Sequence, residues 1–254
     1  MKTPSGNSGE KRSTVSSPRE IPPVDEILAE LRQLAQPRNL EGMRRFGIQA
    51  RQILGVSIPE LRALAKRLGR DHALAESLWQ AGIHESRILA SLVDEPAKVT
   101  RSQMDRWIKD LENWADCDAV CGNLFDRTPH AVDKATEWIN RKEEFQKRAG
   151  FVLMATLAVH DKTASDEVFL QFLPLLKAGA ADERNFVRKA VNWALRQIGK
   201  RNAALSQAAT RMACEIHAMG TPAARWIAND ALREFERRAG KINVVKVSKT
   251  RPDG

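Results

Sequence analysis

The segment NWADCDAV, residues 113–120, combines side chains that suit chemistry on a positively charged group. Trp114 and Asp118 are four residues apart, so on a helix an indole and a carboxylate project to the same side. An indole face attracts cations, and a carboxylate balances positive charge. The structural alternative makes Trp114 a core anchor and either Asp116 or Asp118 the N-cap of a helix, since Asp is favoured there. Both interpretations remain open at this point.

No motif in the sequence supports a nucleotide cofactor, a metal or a covalent nucleophile. A P-loop, a dinucleotide-binding G-x-G-x-x-G, H-E-x-x-H and G-x-S-x-G are all missing from the sequence. Cys117 and Cys121 lack the second Cys or His pair of a zinc site, which favours small core residues. Four histidines without a patterned nucleophile favour surface or capping roles. These are His84, His130, His160 and His217. We expect no metal and no small-molecule cofactor.

Hydrophobic periodicity predicts that helices position these residues. Asp25 opens a helical pattern that stops before Pro37, Ser57 starts another that ends at Gly69, and Thr100 caps a third. Alternating strand patterns between tight turns are nearly missing, and the chain has no tyrosine. The sequence therefore predicts an all-α fold.

An internal repeat predicts how the helices are arranged. The segment VRKAVNWALR at 187–196 recurs as ARWIANDALR at 224–233, with similar patterns around Arg87 and Arg148. A period of about 40 residues with two helices per unit is typical of HEAT or armadillo-like repeats. We predict a solenoid of antiparallel helix pairs, with the second helix of each pair lining a concave face.

Composition divides the chain into three parts. Residues 1–23 are rich in Ser, Pro and charge and predict a flexible basic arm. Residues 24–240 form the predicted helical-repeat domain. Residues 241–254 are a short basic tail, in which Val244 to Val247 resembles a strand without a partner.

The net charge of +9 leaves two kinds of surface open. Residues 1–21 carry four basic and two acidic side chains, and residues 238–254 carry five and one, so the body holds only +3. A solvated surface with basic tails accounts for that balance. Local clusters of Lys and Arg favour nucleic acid instead, since they displace counterions from phosphates. The clusters are Arg62, Lys66, Arg67 and Arg70; Arg141, Lys142, Lys147 and Arg148; and Arg188, Lys189, Arg196, Lys200 and Arg201.

Cysteine use and hydropathy predict the compartment. Three cysteines form no even-numbered framework, which favours a reducing cytoplasm. The first residues lack the apolar segment of a signal peptide, and no apolar run reaches the roughly 18 residues that span a bilayer. We expect a cytoplasmic protein without membrane contact, nucleoid-associated when it binds DNA.

Four segments, in order and approximate spacing, resemble the HEAT-like DNA alkylation-repair family, whose founding activity is that of AlkD-type alkylpurine DNA glycosylases. The segments are LGVSIPELR (54–62), NWADCDAV (113–120), FQKRAG (145–150) and VRKAVNWALR (187–196). The resemblance covers residues 24 to 238. It implies a protein that releases cationic alkylated purines from duplex DNA, working from the backbone side without a deep base pocket. Helical solenoids can stand as monomers, and we expect a monomer here.

The resemblance also implies roles for individual residues. Asp118 matches the catalytic carboxylate, Trp114 and Trp193 match two tryptophans that flank the lesion nucleotide, and Arg148 matches an arginine that holds the DNA backbone. Because the chain lacks tyrosine, a tyrosine contact of some relatives is replaced or missing.

The basic clusters extend the predicted DNA surface through Arg62, Lys189 and Arg196. Two other functions remain open. One is a non-catalytic binder of bent or branched DNA, and the other is a protein-interaction scaffold.

Overall fold

The structure, a computed structural model, describes the backbone of residues 21–249 and the side chains of residues 21–240. The described backbone contains helices and no strand. The helices are α1 (Val24–Gln33), α2 (Pro37–Arg45), α3 (Ile58–Leu68), α4 (His72–Gln80), α5 (His84–Val93), α6 (Arg101–Trp107), α7 (Trp114–Asn123), α8 (Ala131–Trp138), α9 (Glu144–His160), α10 (Asp166–Gly179), α11 (Asn185–Gly199), α12 (Ala203–Ala218) and α13 (Pro222–Lys249). Short 3₁₀ turns follow α6 and α7.

The helices form two rows, as the repeat predicts. In the inner row, α3, α5, α7, α9, α11 and α13 each pack against the next. In the outer row, α4, α8, α10 and α12 pack against inner helices, and α1 packs against α4 and α5. The prediction of an all-α solenoid of antiparallel helix pairs with a concave face is confirmed.

Side-chain caps explain why the helices start where the sequence predicts. The Ser57 hydroxyl accepts from the Glu60 backbone N–H, and the Glu60 carboxylate accepts from the Ser57 N–H, which completes a capping box. The Thr100 hydroxyl accepts from Gln103 N–H at the start of α6. Gly69, with φ of 81°, ends α3 in a conformation that favours glycine.

A continuous apolar core runs between the rows. The Trp79 and Trp107 rings stack with centroids 4.0 Å apart, and Phe125 lies 6.0 Å from Trp107. Cys117 and Cys121 are fully buried, so their predicted role as core residues is confirmed.

The two ends of the domain differ from the interior. Helix α2 has no buried residue, whereas every other helix described to its end has at least one. Helix α13 continues past the predicted boundary at 240 to Lys249, so the strand-like run Val244 to Val247 is helical. A lone run has no partner strand for its backbone hydrogen bonds, whereas a helix satisfies them locally. Residues 1–20 of the predicted arm at 1–23 lie outside the described residues. No described helix is long and apolar enough to cross a membrane.

Candidate active site

Asn113 sets the start of α7 and with it the direction of Trp114 and Asp118. Its side-chain oxygen accepts from the N–H groups of Ala115 and Asp116 at 2.9 and 3.1 Å. The N-cap is therefore Asn113, and the alternative that gave this role to Asp116 or Asp118 is wrong. One helical turn later, Asp118 shares the exposed face of α7 with Trp114, and both line one cleft. Trp114 is partly exposed there instead of anchoring the core.

Asp118 forms a two-pronged ion pair with Arg148 of α9. Arg148 Nε donates to Asp118 Oδ1 at 3.0 Å, and Arg148 Nη2 donates to Oδ2 at 2.9 Å. Arg148 Nη1 donates to the carbonyl of Phe186, at the start of α11, at 2.6 Å. The Arg148 side chain is 6% exposed and that of Asp118 is 23% exposed. One guanidinium thus joins α7, α9 and α11 and fixes the plane of the carboxylate.

Burial and charge act in opposite directions on this pair. Burial raises the pKa of the Asp118 carboxyl above its usual range, although the charge and hydrogen bonds of Arg148 oppose that rise. Burial alone would lower the pKa of Arg148, but the Asp118 charge raises it overall. Arg148 stays protonated, and Asp118 takes up a proton at a higher pH than an ordinary aspartate.

A cleft of about 600 Å³ opens beside this pair. Residues from α2, the segment after it, α3, α5 and α7 line it. The buried Glu85 carboxylate holds the segment before α3 in place, because it accepts hydrogen bonds from the N–H groups of Leu54 and Gly55 at 2.9 and 2.6 Å. Trp114 Nε1 donates to the Phe46 carbonyl at 2.8 Å, which ties the indole to the end of α2. The Trp114 indole is therefore held in place from outside its own helix.

His84 lies in the wall of the same cleft. It is 2% exposed, and its Nδ1 is 2.6 Å from Asp116 Oδ1. Burial alone would lower the pKa of His84, but its close contact with the Asp116 carboxylate and the charge of that group raise it overall. The expectation that His84 has a surface or capping role is wrong, because the fold buries it against a carboxylate that sequence spacing does not place nearby.

Trp193 is not among the residues that line this cleft. It packs partly buried against the core on α11. On the same helix, exposed Lys189 lies with its ammonium 6.0 Å from the centre of the Phe186 ring. The flanking role of Trp193 and the DNA contact of Lys189 stay predictions.

The other residues predicted to contact DNA differ in their exposure and in their ion pairs within the protein. Arg62 is exposed on α3. Arg196 is engaged with α13, since its Nη1 lies 2.9 Å from Asp230 and its Nε 2.5 Å from Glu234. Arg148 is buried and engaged with Asp118 as described above, so its phosphate contact also stays a prediction.

Sequence reasoning missed Phe46, Phe186 and His84. Phe186 has a recognisable signal, since it lies three residues before Lys189 and seven before Trp193 on one helical stripe. Phe46 follows two arginines, an aromatic and basic combination that is typical of nucleic-acid surfaces. His84 has no local signal, because its partner Asp116 lies on another helix.

Comparisons with known proteins identify the family of this chain. A model of the family described as DNA alkylation repair enzyme matches residues 27–238. The uncharacterized protein Lin0241 of Listeria innocua serovar 6a is 24% identical over 131 residues, which span 50% of this chain and 58% of that protein. The chain thus matches little more than half the length of that relative.

A solved structure supports the fold independently. It is described as a new family of proteins related to the HEAT-like repeat DNA glycosylases with affinity for branched DNA structures. It superposes with a TM-score of 0.68 at 22% identity, over 76% of this chain and 82% of that chain. The likeness shows that the two chains share one fold.

Proposed function

This chain belongs to the family of DNA alkylation repair enzymes, and we propose that it releases cationic alkylated purines from duplex DNA by hydrolysing the N-glycosidic bond. The observation that carries the proposal is the position of Asp118. Its carboxylate is held by Arg148 at the wall of a cleft on the concave face, beside the partly exposed indole of Trp114.

The proposed reaction needs one carboxylate. A purine alkylated at ring position 3 or 7 carries a positive charge, so the base leaves as a neutral molecule and positive charge develops on the deoxyribose. Ordinary glycosidases use two carboxyl groups because their leaving group must be protonated. Here no general acid is required, which fits a cleft whose lining contains one carboxylate, that of Asp118.

Asp118 and its neighbours divide the work in this proposal. The Asp118 carboxylate stabilises the cationic sugar and orients the attacking water. Arg148 is a positioning residue, because its two parallel bonds fix the carboxylate before the substrate arrives. The indole of Trp114, tied to the Phe46 carbonyl, contributes a face that attracts the cationic nucleotide.

A second candidate function is the binding of branched DNA without chemistry. The solved structure described above comes from a family with affinity for branched DNA. In addition, the bidentate contact with Arg148 balances the Asp118 charge, which weakens its action on a cation. These two observations favour the non-catalytic alternative, so the experiment measures DNA binding as well as base release.

One experiment separates the two functions. Purified protein is incubated with methylated duplex DNA, and released 3-methyladenine and 7-methylguanine are measured by chromatography against protein-free DNA. Binding to a four-way junction and to its linear duplex is measured in parallel. Enzymatic release above the spontaneous rate supports the glycosylase. A preference for the four-way junction with no release above the spontaneous rate refutes the glycosylase and supports the non-catalytic binder of branched DNA.

A further inference from the structure

We propose that the terminal pocket, which is lined by the end of α11, the first half of α12 and part of α13, binds backbone phosphates of a second DNA segment. The first segment lies at Asp118. The proposal rests on the proposed DNA binding and deepens it, because it assigns a surface to another arm of a branched DNA. It involves no base pocket and no base release.

The terminal pocket and the cleft beside Asp118 lie at different ends of the helix order. The cleft is lined by residues up to Ala119 in α7, and the pocket by residues from Gly199 onwards, so the two share no lining residue. The pocket has a volume of about 630 Å³. Its apolar side is Phe235, which is buried and packs so closely on α11 that a Cβ at Gly199 would lie 2.5 Å from the ring. The two sites can therefore hold separate parts of one ligand.

All the charged residues among the described residues that line the terminal pocket are basic. They are Lys200, Arg201, Arg211 and Arg238. Positive charge gathered in a concavity attracts anions, because the low-dielectric walls focus its field. The lining therefore favours an anionic ligand.

Two of these cations have partners inside the protein. Arg201 Nη1 donates to the carbonyls of Ala158 and Asp161 at 2.9 and 2.7 Å, which fixes its guanidinium at the end of α9. Lys200 Nζ lies 2.5 Å from Glu234 Oε1, so a carboxylate balances its charge. The charge that is available to a ligand therefore comes from the other two cations.

Arg211 and Arg238 are those two cations. Both are exposed, and neither forms a hydrogen bond or an ion pair within the described part of the chain. They lie on neighbouring helices, α12 and α13, at the same pocket. The fork of a guanidinium matches two phosphate oxygens, and the uncharged side chains of Ser206 and Gln207 suit phosphate and sugar oxygens. This combination is typical of contacts to a nucleic-acid backbone.

Neither end of the chain supplies an anionic occupant for the terminal pocket. Residues 1–20 carry four basic and two acidic side chains, and residues 241–254 carry four basic and one acidic. Like charges repel, so both segments are poor ligands for a basic pocket. Branched DNA is the polyanion that the second candidate function provides, because its additional arm brings a second set of phosphates.

The test measures how affinity depends on salt for an undamaged four-way junction and for a linear duplex. The logarithm of affinity falls linearly with the logarithm of salt concentration, by about 0.9 for each phosphate contact. Combining Arg211→Gln with Arg238→Gln removes two contacts, so the slope for the junction should decrease by about 1.8. The slope for the linear duplex should stay unchanged, because the duplex occupies the surface at Asp118 alone. Both arginines are exposed, so the variant should keep the melting temperature of the wild type.

Arg237→Gln is the matched control for Arg238→Gln. Arg237 is the preceding residue on α13, is also exposed, and does not line the terminal pocket. Each single variant removes one positive charge from the same helix. Arg238→Gln should reduce the junction slope by about 0.9, and Arg237→Gln should leave it unchanged. Equal reductions would show that the diffuse charge of α13 acts, which overturns the pocket as a site.

Three other results contradict the proposal. An unchanged junction slope in the double variant means that the terminal pocket makes no contact with the junction. An equal decrease for the junction and the linear duplex means that the pocket belongs to the surface for a single duplex. Stabilisation of the wild type by inorganic phosphate at constant ionic strength, lost in the double variant while junction affinity is retained, assigns the pocket to free phosphate.

The outcome is independent of base release. Neither DNA contains a damaged base, so a protein that releases no alkylated purine but shows the expected slopes loses only the proposed glycosylase. A protein that releases purines but shows no difference between Arg237→Gln and Arg238→Gln loses only the terminal pocket.

Discussion

Replacing Asp118 by Asn tests whether the negative charge of this residue drives base release. The substitution keeps the shape of the side chain and removes the negative charge that is proposed to stabilise the cationic sugar. Removal of one electrostatic stabiliser costs about 10² to 10³ in rate, or roughly 3–4 kcal/mol. We expect base release from methylated DNA, followed by chromatography under single-turnover conditions, to fall by that factor.

The same substitution also removes the anionic partner of Arg148. That guanidinium side chain is 6% exposed, and an amide oxygen replaces only part of the lost interaction. Leaving a buried charge poorly paired should cost about 1–3 kcal/mol of unfolding free energy, because Asp118 itself keeps some contact with water. A loss of about 2 kcal/mol corresponds to a fall in Tm of roughly 4–8 °C for a chain of this size.

A double variant separates the two effects. Asp118→Asn combined with Arg148→Gln places two neutral amides where the ion pair was, so most of the lost stability should return. Base release should not return, because the charge is still missing. A folded double variant with wild-type release would refute the electrostatic role of Asp118.

Three further outcomes follow from the structure. Exposed Lys189→Gln should reduce the slope of duplex affinity against salt by about one charge. Arg148→Gln tests the predicted phosphate contact of that guanidinium: a slope reduced by about one charge would support the contact, and an unchanged slope would show that the guanidinium is engaged only inside the protein. Gly150→Ala should lower the unfolding free energy by about 1–3 kcal/mol in urea titrations, since its Cβ would meet the backbone N of Ile139, just after α8, at 2.8 Å and the carbonyl O of Ala135 in α8 at 2.9 Å; unchanged stability would show that α8 and α9 can separate. The pKa of His84 is raised in the folded protein, so its charge stabilises the fold fully below its unfolded value of about 6.5 and loses that contribution as the pH rises through the folded value. The stability difference between wild type and His84→Gln should therefore shrink from pH 6 to pH 9, and a growing difference would contradict the raised pKa.

The sequence by itself determined the helices, their caps and the repeat. Hydrophobic spacing and capping residues act within a few positions of one another, so Ser57, Thr100 and Gly69 could be interpreted without knowledge of the fold. The shared face of Trp114 and Asp118 follows from helical geometry in the same way.

Only the tertiary structure decided what those side chains meet. Arg148 and Asp118 are 30 positions apart, and His84 and Asp116 are 32 apart, so no local pattern pairs them. Whether an arginine faces phosphate or a buried carboxylate depends on how neighbouring inner helices pack. The cleft is likewise a product of the tertiary structure. Helix α2 buries none of its own residues, and the hydrogen bond from Trp114 Nε1 to the Phe46 carbonyl joins its end to the start of α7. A contact between two helices leaves no pattern in the sequence of either helix, because each contacting residue is of a type that is common on helices.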